Sequence, residues 1–254
     1  MKRWIRFAVM LQVLLQTRSL VAHDVTLFPE LSGHQIRVSL KYGDPGDYEP
    51  AFAVKLLELD AFAPDGKKLS FRDGVKADGV GLLTTGPNEV KQQDGTWLIA
   101  SRYDNGFYVH TADGRPLATT KLDFPAAKDS AHYFKFSKAL LRIGHSSPGA
   151  ERVIGHRLEL VPHVDPFSLK PGDHLPIEVL FDGKPLAGVP VEVGDDKAAA
   201  IGELAKTDGT GIVQLPIRSA GWYRIAVDRR VPSHFPELFA EDDYTATLTF
   251  FLEP

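Results

Sequence analysis

Residues 156–193 read HRLELVPHVDPFSLKPGDHLPIEVLFDGKPLAGVPVEV, and their punctuation decides the fold. Short apolar runs (LELV, LPIEVLF, VPVEV) alternate with the turn signals Asp165-Pro166, Pro171-Gly172-Asp173 and Asp182-Gly183. Runs this short, bounded by Gly, Pro and Asp, are strands, and Pro185 and Pro190 suit an edge or the first residue of one. The pattern continues through KTDGTGIVQLPI, AGWYRIAV and YTATLTFFLE. Strands spaced by roughly 8–12 residues with turns between them predict an immunoglobulin-like β-sandwich over 156–254. Trp222, Ile225 and Val227 supply a large apolar load for its core.

Upstream the same grammar holds. Val25–Phe28 and Gln35–Leu40 read as two strands of a hairpin around Gly33, and YGDPGDYEP (42–50) as a loop. Further strands are expected at 56–62, 80–84, 96–103 and 106–111. Residues 125–145 fit a helix face (Ala131, Phe134, Leu140, Leu141) about as well as a strand (HYFKFSKALLRI), and the strand-rich surroundings favour the strand. With SSPGAERVIG (146–155) as a linker, the expectation is all-β: a first β-sandwich-like domain over 23–145 and a second over 156–254.

The chain opens Met1-Lys2-Arg3-Trp4-Ile5-Arg6, then the apolar run FAVMLQVLL (7–15), then QTRSLVA to Ala22. A basic start, a short apolar middle and a small closing residue describe a secretory signal over residues 1–22. The run is shorter than the roughly 20 apolar residues a membrane helix needs. An uncleaved amphipathic anchor or a buried first helix are the other readings, and Leu20 is bulky for a cleavage motif. Cleavage after Ala22 predicts an exported, periplasmic chain beginning His23-Asp24, without stable membrane insertion. The net charge of −4 includes Lys2, Arg3, Arg6 and Arg18, so losing these four takes the mature chain to −8. An acidic exported chain disfavours nucleic acid as a partner. The sequence has no cysteine, so a metal must rely on His, Asp, Glu, carbonyls or a terminal amine.

Residues 155–193, 206–227 and 244–250 follow the pattern of a known family: LEL…VP…DP…GD…VLFDGKPL, then TDGTG before a strand, then G-W and a closing YTATLTF. AHD (22–24), APDGKK (63–68), GFYVHTADG (106–114) and FSKALLRIG (136–144) sit in the same order. The chain thus resembles a NikM-like family of exported proteins, built on a domain of unknown function and associated with nickel or cobalt transport. The resemblance implies a soluble or membrane-associated component that binds a divalent metal and passes it to an inner-membrane transporter or another envelope protein. Where the family pattern carries Gly-His after the second strand, this chain has Gly43-Asp44, a harder oxygen ligand.

The metal expectation centres on His23. Once terminal, it would offer both an amine and an imidazole, a donor pair suited to Ni, Co or Cu. If strands 25–28 and 35–40 pair around Gly33, His23 lies at the far end from the turn, near Asp24 and Asp44. His34, at the turn, is roughly 25 Å away at about 3.3 Å per residue. His110 beside Phe107-Tyr108 edges a core or a pocket. The candidate ligands are therefore His23, Asp24, Asp44 and His110. His132 and His145 show no ligand spacing, His163 and His174 bracket a loop and could approach each other but read as loop-end surface residues, and His156 and His234 are not singled out as ligands. No G-x-S-x-G, H-E-x-x-H or phosphate loop is present, so the chain is read as non-catalytic. The competing readings are a metal-free envelope interaction module and a copper protein with a terminal-His site.

Overall fold

A computed structural model describes residues 23–86, 93–145, 148–194 and 204–254. The signal segment lies outside the described residues. The strands of the first half are β1 (Asp24–Ser32), β2 (Gln35–Asp44), β3 (Asp47–Glu49), β4 (Leu56–Phe62), β5 (Lys68–Ser70), β6 (Lys76–Asp78), β7 (Gly81–Thr85), β8 (Gly95–His110), β9 (Pro116–Leu117) and β10 (Asp129–Ile143). Those of the second are β11 (Leu158–Pro162), β12 (His174–Phe181), β13 (Lys184–Pro185), β14 (Pro190–Gly194), β15 (Leu204–Lys206), β16 (Ile212–Pro216), β17 (Gly221–Pro232) and β18 (Glu241–Leu252). The chain is all-β, as its punctuation requires.

The two halves do not stand apart. β10 pairs in parallel with β18, Ala131 to Ala139 against Glu241 to Thr249. One nine-stranded sheet therefore runs β15-β14-β17-β18-β10-β8-β4-β5, with β9 on β8. Two smaller sheets cover its faces: β1-β2-β7-β6 with β3 on one side, and β11-β12-β13 with β16 on the other. After β10 of the central sheet the chain passes to β11 of the second small sheet, and it returns to the central sheet at β14.

Alternation along β18 shows how the layers divide. Tyr244, Ala246, Leu248 and Phe250 join the core beneath the second-half sheet, with Leu98, Ala100, Phe136, Leu140, Ile225 and Val227. Trp97, Ile99, Tyr103, Ala139 and Ile143 point the other way, against Val25, Leu27, Ile36, Val38 and Leu40. Because β8 and β10 are covered on both faces, their sequences lack the polar-apolar alternation of a half-exposed strand. This is the physical origin of the helix-or-strand ambiguity at 125–145. Trp222 falls on the face opposite Ile225 and Val227, where its ring meets Phe28 and Phe251.

The threonines of the YTATLTF motif do a separate job. Strand β1 is an edge of its sheet, and an edge strand presents unpaired carbonyls. Val25 C=O accepts from Ser137 Oγ (2.6 Å) and Thr247 Oγ1 (2.7 Å), and Leu27 C=O accepts from Thr249 Oγ1 (2.6 Å). All three hydroxyls are buried, so they stand in for a neighbouring strand. Deleting a buried partner costs about 1–3 kcal/mol per orphaned group. The Thr249→Val variant, nearly isosteric, is expected to lose that much in urea unfolding. No loss would mean that β1 is held by packing alone.

His156 is buried against Phe136 in the second core. Burial, with Lys138 nearby, pulls its imidazole down to about 3 from an ordinary 6.5. Between those values the unfolded chain takes up a proton that the folded chain refuses. Stability from this residue is therefore complete above about pH 6.5 and drains as pH falls, by up to about 1.4 kcal/mol per unit. Urea midpoints measured from pH 7 to pH 5 are expected to fall less steeply in His156→Phe than in wild type. Equal slopes would contradict the assignment.

Candidate functional site

The hairpin expected around Gly33 forms, with Gly33 at φ +62° and Val25 opposite Tyr42. It brings His23 beside the Tyr42 ring (centroids 5.6 Å apart) and its Nδ1 to within 3.4 Å of Glu49 Oε1 on β3. His110 closes the far end of β8, opposite Asp129 at the start of β10. Its Nδ1 lies 2.7 Å from Asp129 Oδ1. Residues 87 positions apart in the chain thus line one cavity of about 270 Å³, together with Tyr108, Tyr133, Lys135 and Arg230.

The bulge between Tyr133 and Phe134 shapes this cavity. Tyr133 pairs with Gly106 and Phe134 with Asp104, so Asn105 is the extra residue. Gly106 accommodates the turn at φ +84°. The Asn105 amide donates to Tyr42 Oη (3.0 Å), while its carbonyl and Oδ1 accept from Lys55 Nζ (2.8 and 2.9 Å). Lys55 also reaches Tyr108 Oη (3.3 Å). Burial, with Tyr108 close by, raises the Tyr42 phenol well above its usual range, so it serves as a neutral hydroxyl at any ordinary pH.

Of the four expected ligands, the structure brings His23 and His110 to one cavity and turns the other two elsewhere. Asp24 is buried in an ion pair with Arg224 of β17. Both are core-side groups of adjoining layers, so this carboxylate fixes β1 rather than facing the cavity. Asp44, half-buried at the end of β2, lies in the field of Lys135 and Glu192 and does not line the cavity. His132 bonds Asp104 (2.8 Å) and stacks near Phe134, and His163 bonds Glu178 (3.1 Å). His145, His174 and His234 are exposed.

The donor set can be judged on its chemistry. A metal-binding histidine commonly gives its other ring nitrogen to a carboxylate, which fixes ring and tautomer. His110 has that arrangement: Asp129 holds Nδ1 and leaves Nε2 for a ligand. Yet among the described residues no three His, Asp or Glu side chains converge closely enough to hold a metal by themselves. Side chains alone therefore do not make a complete metal site here.

Glu49, Asn105, Asp129, Lys135 and Arg230 were not singled out from sequence. Glu49 sits on a strand of three residues inside a Gly-, Pro- and Asp-rich stretch, and Asn105 depends on a bulge. Lys135 looks like the polar half of an alternating strand. Only the Asn105-Gly106 pair carried a local signal, since Asn-Gly marks a turn or bulge.

The architecture is thus a three-layer β-protein with a histidine-rimmed cavity between its first small sheet and its central sheet. The chain belongs to the family described as Domain of unknown function (DUF4198), whose model matches residues 20–230. An uncharacterized protein of Haemophilus influenzae is 30% identical over 193 residues, covering 75% of this chain and 76% of that protein. Among solved structures, a biofilm-associated protein BSP domain is similar at 10% identity and a TM-score of 0.19. That comparison covers 89% of this chain, which spans about half (51%) of the solved one.

Proposed function

We propose that this chain is a non-catalytic, exported binding protein of the NikM-like kind. It takes a divalent metal, nickel or cobalt, in the periplasm and passes it to an inner-membrane transporter. The observation that supports this best is the meeting of His23, Glu49 and His110 at one cavity, with His110 Nε2 left available by Asp129. Cleavage after Ala22 would add the amine of His23 as the third nitrogen. Three nitrogens and a carboxylate suit Ni²⁺, Co²⁺ or Cu²⁺ better than a hard ion such as Mg²⁺.

Calorimetric titration of a chain beginning at His23 with Ni²⁺, Co²⁺ and Cu²⁺ is the test. One ion is expected to bind per chain, and His110→Ala to weaken binding by roughly tenfold or more, as loss of a ligand implies. Tight binding untouched by His110→Ala would place the metal elsewhere. Preference for copper together with copper-dependent oxidation of a polysaccharide would favour the terminal-His copper protein. A second reading, a metal-free docking module, draws on one observation. The turn before β4 and the first residues of that strand expose Phe52, Val54 (84% exposed) and Leu57 beside the Lys55 network. Under that reading the titrations are silent with all three ions.

A further inference from the structure

We propose that the cavity is a binding site for a small organic carboxylate, anchored by the ammonium group of Lys135. This goes beyond the metal reading and rests on different residues. Lys135 is 1% exposed yet lines the cavity. Its Nζ donates to Thr245 Oγ1 at 2.8 Å, which occupies one of the three donors an ammonium carries. A buried cation with unfilled donors is costly, and a ligand that fills them recovers that cost.

The surroundings keep the group cationic. Burial lowers Lys135 only to about 8, because Asp243 and Asp228 oppose the effect. It is therefore mostly charged at neutral pH. Asp243 is itself engaged by Arg230 (Nε to Oδ2, 2.7 Å), which also reaches Glu241 (3.5 Å), so the Arg230 charge is balanced by acids and Lys135 is the cation that a ligand would meet. The rings of Tyr42, Tyr108 and Tyr133 flank the same space, and Tyr108 and Tyr133 meet edge to face at 5.9 Å. Such walls suit a flat, apolar body.

Size and charge argue against a metal ion as the sole occupant. A cavity of about 270 Å³ holds roughly nine waters at about 30 Å³ each, far more than one ion fills. Lys135, the most buried charge of the lining, repels a cation beside it, whereas His23 and Glu49 lie at β1 and β3 and His110 at the end of β8 against Asp129. A carboxylate on the Lys135 ammonium forms a charge-assisted hydrogen bond away from bulk water.

The test uses benzoate as probe, with succinate as a second acid lacking a ring, on protein treated with chelator. Saturable binding of benzoate in the millimolar range or tighter is expected by ligand-observed NMR, with succinate weaker. Lys135→Met is expected to weaken benzoate roughly 10- to 100-fold, the equivalent of losing one hydrogen bond to a charged group. Should that variant not fold, the Cε resonance of Lys135 in wild-type protein decides, since it must shift and saturate with benzoate. No saturable binding of either acid, or binding that leaves Lys135 unmoved, would overturn the proposal. Because the probe is read without metal, its failure leaves the nickel titration standing, and the reverse also holds.

Discussion

Replacing Glu159 with leucine is expected to remove about 3–5 kcal/mol of stability, the largest single-residue effect in the protein. The carboxylate sits at the start of β11 and is almost wholly buried. It receives the backbone N–H groups of Ile154, Gly155 and His156 at 2.8–3.0 Å and the ammonium of Lys138 at 2.5 Å. Lys138 in turn donates to the carbonyls of Arg152 (2.9 Å) and Leu160 (3.2 Å). The end of the 146–155 stretch is thus tied to the central sheet by one ion pair. Loss of Glu159 leaves a buried cation and three unpaired N–H groups. Lys138→Met should cost less, about 1–3 kcal/mol, because Glu159 keeps its three backbone donors. Urea unfolding of the two variants checks both size and order. Equal or reversed costs would mean that the ammonium, not the carboxylate, is the organising group.

Arg224→Met is expected to cost nearly as much, about 3–5 kcal/mol, by stranding Asp24 without its partner in a buried setting. Here stability and the site are coupled, since Asp24 directly follows His23. The ion pair to β17 and the hydroxyls of Ser137, Thr247 and Thr249 are what hold β1 against the central sheet. The double variant Asp24→Leu/Arg224→Met removes both charges and should recover part of the loss, as apolar replacements of buried pairs often do. Metal affinity should fall in Arg224→Met even where the protein remains folded. A single variant as stable as wild type would show that β1 needs no electrostatic anchor.

Much of this architecture was legible in the chain. The hairpin around Gly33, the strand punctuation from His156 onward and the strand at 129–143 all follow from local chemistry. So does the placing of His23 at the end of the hairpin away from His34. What local chemistry could not carry is the pairing of β10 with β18, which joins residues more than 100 positions apart and merges two expected modules into three layers. The same pairing explains why Lys135 and Lys138, which lie on opposite faces of β10, are both buried: a central strand covered on both sides has no solvent face. Asp24 shows a similar limit. Sequence proximity to His23 suggested a ligand, while the start of β1, buried on both faces, holds its carboxylate against Arg224.

The metal account depends on the terminal amine of His23 supplying the donor that side chains lack. The most direct measurement compares Ni²⁺ binding by calorimetry between a chain that begins at His23 and one that carries a single glycine before it. The glycine moves the α-amino group while leaving every side chain in place. The account predicts one tightly bound ion in the first and a loss of roughly tenfold or more in affinity in the second. Equal affinity in the two, or no binding in either, would contradict it.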